Sequence, residues 1–409
     1  MSQGFAKEQV EQFALADTPA VDAFGRLRVS QPDYRFDGQL VYQVSPDIWD
    51  TAFPPSLGTV TYDRTNKFAA CTVYATGSAV LQSHYHAPYT PGRSQSAFMS
   101  FIMGTTPGGG ATRRVGYWDG TNGVFLEQTS SGVNLVEASS TSYLSGTNAI
   151  PQGSWNIDTM QGTGPSGYTL DLTKTQILHV SLQALYSGRV LVGLDIGGDI
   201  RPIHQFNHAN IAAFPYIGQA SLPIRYEVRG NGTGITMNPI CASVISEGGA
   251  EIRNVPARTF TASNGGTSIG VTTRRPILSI RPLKFFNQSL NHGLILPSAI
   301  GANASGQSGF LEIVRNGTLT GASWSSVDSA NSMAESDISA TTISGGTVIF
   351  STYVNNTAGI TSTLSENLLG RLVASYSHLM DQADVISIVA TSMTGTANLS
   401  AALTWKEIR

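Results

Sequence analysis

The chain has 409 residues and a formal net charge of −3, and 12% of its residues are charged, against roughly 25% in average soluble domains. This balance excludes the basic surface of a non-specific nucleic-acid binder, while low charge with 43 glycines and abundant Ser and Thr suits broad subunit contacts in which few charges must be desolvated. No window approaches the roughly 18 unbroken apolar residues of a membrane helix and the first residues hold no signal-peptide core, so synthesis in a cytoplasm is expected, with no membrane, nucleic acid or cofactor as partner.

Ala6–Leu15 (AKEQVEQFAL) reads as about three helical turns, too short to be stable in water without docking on something. In Asp22–Gly38 (DAFGRLRVSQPDYRFDG) the residues Arg26, Leu27, Arg28 and Val29 alternate charged and apolar, Pro32 interrupts, and Tyr34 and Phe36 resume the alternation. That is the period of two of an extended strand with one buried face. Residues 1–38 are therefore expected to be an arm. Phe24, Leu27, Val29, Tyr34 and Phe36 would anchor it on a partner surface, and Arg26 and Arg28 would pair with carbonyls or acids there.

Strand signals then follow one another at short spacing: Gln39–Val44, Ala69–Ala75, Ala97–Met103, Arg114–Trp118, Gly123–Gln128 and Val133–Ala138. Gly, Pro and Asn clusters such as TTPGGG at Thr105–Gly110 and DGTNG at Asp119–Gly123 separate them and supply the positive φ angles of hairpin turns. Thr175–Ile196 reads as two strands joined through Tyr186, Ser187 and Gly188, because Gly188 and the β-branched run disfavour a helix. Leu222–Val228 and Ile240–Ile245 add two more. Many strands of similar length predict an all-β jelly-roll-like sandwich over residues 39–250. The pattern restarts after Gly249, and residues 251–409 are expected to form a second, smaller β-sandwich, with helical turns only at Leu364–Leu372 and Tyr376–Asp384. Cys71 and Cys241 both lie in apolar strand-like runs and are expected as buried free thiols.

Three blocks, the DAFGRLRVS run, LPIRYEV at Leu222–Val228 and ICASVISEGG at Ile240–Gly249, together resemble a group of tailed-bacteriophage virion structural proteins whose position in the particle is usually unassigned. The resemblance implies a β-rich, non-enzymatic particle component located in the virion, with further copies of itself and other virion proteins as partners. It leaves head, neck and tail open, and its motifs fade after residue 249.

Candidate chemistry is sparse. His84 and His86 share one side of a strand, and His204 and His208 would share a helix face, so either pair offers two metal ligands. Third and fourth ligands are missing from the local sequence, and Gln205 stands where a zinc hydrolase needs glutamate, so no metal site is expected and His204–His208 reads as a polar loop. Glu227 and Glu247 are the acids to pair for glycoside hydrolysis, although Arg225 and Arg229 flank Glu227 as a salt-bridge row would require. Nucleophile motifs are absent; no catalytic residue is assigned. Arg113-Arg114 and Arg274-Arg275 read as strand-edge or interface charges. Tyr85, Tyr89, Tyr117 and Trp118 lie near Gly-rich loops and could stack on sugar rings. The alternative reading they support is a carbohydrate-binding fibre or spike module that contacts a host-surface glycan.

Overall fold

The computed structural model describes residues 32–144, 146–183, 185–247, 258–357, 360–363 and 373–409. They form an all-β protein in which every strand pairing is antiparallel. Alternation builds it. In strand Phe68–Val73, Ala69, Cys71 and Val73 point inward while their neighbours do not, and in Ala397–Ile408 the inward set is Ala397, Leu399, Ala401, Leu403 and Trp405. Successive side chains on a pleated strand face opposite ways, so each such segment offers one apolar face to a facing sheet.

The first unit has two sheets. One runs Asp199–Phe206, Val190–Ile196, Gln176–Leu182, Gln95–Ile102, Ile235–Ser246, Phe68–Val73 and Gly58–Asp63, with Asp33–Gln39 also paired to Ile235–Ser246. The facing sheet runs Gly146–Pro151, Gly132–Ser139, Gly123–Thr129, Thr112–Trp118, Ile224–Asn231, Thr76–Ser83 and Trp49–Ala52. Between them lies a core that includes Phe36, Trp49, Leu81, Met99, Tyr117 and Tyr226. The hairpin expected at Trp118–Gly123 is present: the Asp119 carboxylate accepts hydrogen bonds from the amides of Thr121 (2.8 Å) and Asn122 (2.7 Å), and Gly120 has φ 103°, a conformation that carries little cost for glycine.

The second unit stacks a sheet of Arg258–Ser263, Ala397–Ile408, Leu294–Ser305 and Ile360–Thr363, with Ile269–Val271 added, on one of Ser325–Ser326, Ala334–Asp337, Arg275–Pro282, Ile386–Ser392, Gly309–Arg315 and Thr347–Val354. Its core of Ile277, Ile300, Leu311, Ile388, Leu403 and Trp405 shares no residue with the first. Three short ribbons stand outside these sheets: Phe285–Phe286 with Ser289–Leu290, Thr318–Thr320 with Thr342–Ser344, and Tyr376–Ser377 with Gln382–Ala383.

Several local expectations are corrected. The strand predicted at Gln39–Val44 lies earlier, at Asp33–Gln39, where Phe36 packs edge-on against Trp49 at 5.3 Å. The end of the segment expected as an arm is therefore strand of the first sandwich, with Phe36 inside and Tyr34 71% exposed. Phe24, Arg26, Leu27, Arg28 and Val29 lie outside the described residues, as does Leu364–Leu372. Tyr376–Asp384 is a β-ribbon rather than a helical turn. His204 sits in strand Asp199–Phe206 and not in a loop or helix. Cys71 is buried but Cys241 is exposed, because Cys241 faces outward on Ile235–Ser246.

Candidate functional site

The two units meet along a polar seam that local sequence cannot reveal. Asp50, on strand Trp49–Ala52, faces away from the first core, and His84 follows strand Thr76–Ser83. His84 Nδ1 lies 2.7 Å from Asp50 Oδ1, and its Nε2 lies 2.9 Å from Asp384 Oδ2 of the second unit. Ser377 donates to Asp50 at 2.5 Å. Asp384 also accepts from Asn316 (2.8 Å), from the Ser375 amide (3.1 Å) and from Arg315 (3.3 Å), whose other terminal nitrogen reaches Asp47 at 3.1 Å. Burial opposes charge on His84, yet hydrogen bonds and attraction from Asp384 and Asp50 outweigh it and raise the imidazole to about 10. For Asp384 burial works upward, but His84 and Arg315 pull it down to about 2. A ring with a carboxylate at each nitrogen is an imidazolium.

Two residues on, His86 has the opposite character. Its ring centroid lies 4.1 Å from that of His292 and 6.2 Å from that of His378, and those two lie 5.0 Å apart. Burial lowers all three, His86 well below the ordinary imidazole range and His292 to about 4; the neighbouring rings add to this for His86 and His292, and Lys284 does so for His378. His378 Nε2 meets the Asn291 carbonyl at 2.9 Å. The His84-x-His86 pair is thus split between a charged clasp and a neutral stack. Among the described residues no group of three or more His, Cys, Asp or Glu is placed to hold a metal ion.

The remaining histidine pair is also separated. His204 Nδ1 accepts the Asn156 amide at 3.1 Å, and burial lowers the ring to about 4. His208 stacks on Tyr216 at 3.9 Å and meets Glu137 at 2.5 Å. Glu227 and Glu247 belong to different sheets: Glu227 is on Ile224–Asn231, and Glu247 directly follows Ile235–Ser246. Glu227 is held by Arg225 at 2.6 Å, by Arg229, and by Arg114 at 3.5 Å; burial opposes its charge, but these arginines keep its carboxyl below the usual range. A general acid needs the reverse shift. The expected edge role of Arg113-Arg114 is corrected, since Thr112–Trp118 is internal to its sheet. Arg113 is buried and donates to the carbonyls of Thr236 and Thr105 and to Gln128. Arg274 pairs with Glu312 at 2.7 Å, and Arg275 donates to the Ala340 carbonyl.

The four aromatics expected to meet a sugar do not form one platform. Tyr117 and Trp118 are 1% and 2% exposed, on opposite faces of one strand, which removes both as stacking surfaces. Tyr117 belongs to the first core; Trp118 packs on Phe125 at 4.7 Å, beneath Arg225. Tyr89 is half-buried and its hydroxyl accepts the Leu185 amide. Tyr85 lies edge-on to Phe36 at 5.7 Å and borders a cleft between the units, opposite Arg315 and Val348.

Sequence reasoning missed a groove of about 670 Å³ in the second unit beside the seam. All three ribbons line it, contributing Phe285, Leu319 and Tyr376 among others, and Trp324 and Arg281 complete its wall. The Arg281 guanidinium lies 4.2 Å from the Trp324 ring centre and bonds Glu335 at 2.5 Å. Lys284 meets Asp381 at 2.6 Å, and Tyr376 donates to the same carboxylate at 2.7 Å. Asn316, Gln382 and Ala383 line both the groove and the seam. Only the single Trp324 and the Phe285-Phe286 pair mark this region in the sequence.

No protein-family model matches this chain, and no curated protein matches it significantly. Solved structures with partial likeness include an uncharacterized protein from Mycobacterium paratuberculosis (11% identity, 52% of this chain and 98% of that one, TM-score 0.34). Others are the Emp47p carbohydrate recognition domain (11%, 54% and 98%, 0.32) and a legume lectin-like domain from Entamoeba histolytica (8%, 53% and 98%, 0.31). These similarities concern the β-sandwich over about half the chain.

Proposed function

We propose that this protein is a non-enzymatic structural component of a tailed-bacteriophage particle, built into the particle through the segment preceding residue 32 and through its sandwich surfaces. The observation that carries the reading is the seating of Asp33–Gln39. The patterned Asp22–Gly38 segment runs directly into a strand paired along Ile235–Ser246 from Asp33 with Ser246 to Gln39 with Cys241, so whatever the preceding residues grip is tethered to a sandwich sheet. Phe53, Leu57 and Tyr74 add support: they are exposed around the start of Gly58–Asp63, an outer strand of its sheet, where apolar surface suits a neighbouring subunit. Of the residues weighed for catalysis or metal binding, His84, His208 and Glu227 are engaged in buried ion pairs, His204 accepts a backbone hydrogen bond, and His86 packs against His292.

Removing residues 1–31 leaves Asp33–Gln39 in place. The shortened chain is expected to fold with an unchanged melting temperature but to be missing from particles, as read by gold-labelled antibody on virions assembled with full-length or shortened protein. Equal labelling of both particles would refute the tether; absence of the full-length chain from every particle would refute the virion reading.

A further inference from the structure

We propose that the groove walled by Trp324, Phe285 and Tyr376 binds a short, uncharged oligosaccharide. The inference goes beyond particle assembly and rests on separate residues. Its first support is construction. Phe285 is 52% exposed, yet it is held in a tight ribbon whose turn residues Asn287 and Gln288 have φ 47° and 65°. An aromatic ring fixed in place but open to water is a ready stacking face for the apolar side of a sugar, with little side-chain entropy left to lose.

Charge is the second support. Two cations, Arg281 and Lys284, face two anions, Glu335 and Asp381, in pairs of 2.5 and 2.6 Å. The four cancel, so a charged ligand would have to displace a partner from one pair. A hydroxyl group has no such requirement: it can donate to a free carboxylate lone pair while accepting from a guanidinium or ammonium proton. Vicinal hydroxyls of a neutral sugar match this alternation of donors and acceptors. Gln382 adds an amide group to the lining. The volume, about 670 Å³, falls within the roughly 300–1,000 Å³ of small-ligand sites.

The test is a glycan array carrying neutral and acidic oligosaccharides, probed with the full-length protein and followed by calorimetric titration of the best neutral binder. Saturable binding to neutral glycans, weakened at least tenfold by Phe285→Ala and by Glu335→Gln, is the expected result. Both residues lie at the surface of the groove, and an unchanged melting temperature shows that the variants fold. Trp324→Phe, which keeps a ring beneath Arg281, should retain more binding than Trp324→Ala. Binding of acidic glycans alone, binding indifferent to Phe285→Ala and Glu335→Gln, or no glycan binding at all would overturn the proposal.

Discussion

Replacing His84 by alanine removes the cation between Asp50 and Asp384 and leaves two carboxylates, 6% and 3% exposed, facing each other across the seam. Ser377 still serves Asp50, and Arg315 and Asn316 still serve Asp384, so both acids keep some stabilisation. Breaking a buried ion pair by deleting one partner costs about 3–5 kcal/mol, and in units of this size each kcal/mol lowers the melting temperature by roughly 2–4 °C. At pH 6 the variant is therefore expected to melt about 6–20 °C lower. The pH dependence gives the sharper criterion. The folded-state imidazole is raised from 6.5 to about 10, so its contribution is fully present below about pH 6.5 and is lost as pH rises through about 10. Scanning calorimetry of both proteins at intervals from pH 6 to pH 10 should show the two melting temperatures converging toward the alkaline end. A gap that stays constant over that range, or one below 1 °C at pH 6, would refute the assignment of a charged clasp.

The His86, His292 and His378 stack has the opposite sign. Their folded-state values are depressed by burial, so the unfolded chain takes up protons first and stability falls as pH drops below 6.5 toward about 4; His292→Phe should flatten that fall in the melting curves, and an unaltered slope would count against it. Phe36→Ala should destabilise the first unit by about 3–5 kcal/mol in urea unfolding while leaving the second unit's transition in place. Cys241 should react with Ellman's reagent in the native protein at pH 8, whereas Cys71, buried and pushed up to about 12, should react only after denaturation; two fast native thiols would contradict the placement.

The sandwich architecture was legible because alternation is a local signal: Phe68–Val73, Gly123–Thr129 and the two strands around Gly188 announce themselves through side-chain period and turn residues. Strands Gly58–Asp63 and Thr76–Ser83 were missed: GTVTYD alternates, but with only Val60 and Tyr62 as its apolar face, and TGSAVLQS has its apolar residues Ala79, Val80 and Leu81 in a row rather than in alternation. The same limit explains the misread aromatics. Trp118 ends the predicted strand Arg114–Trp118 beside the DGTNG turn, but nothing in the local sequence shows that Phe125 and Arg225 cover it. The seam and the groove depend on contacts such as His84 with Asp384 and Arg281 with Glu335, which join residues far apart in the chain and leave no local trace.

The placement of Asp33 against Ser246 carries a mechanical consequence. The chain enters the first sandwich at one end of this strand pair and departs toward the second unit from the same end. A pull between the residues before 32 and the second unit therefore opens the pair like a zip, one rung at a time, starting at Asp33; it does not shear all the rungs together. Such a joint yields at low force. The clasp of His84 with Asp50 and Asp384 offers the load a parallel route between the units that bypasses the zip, so the seam determines whether tension on the attachment segment peels the first strand or is shared by both sandwiches.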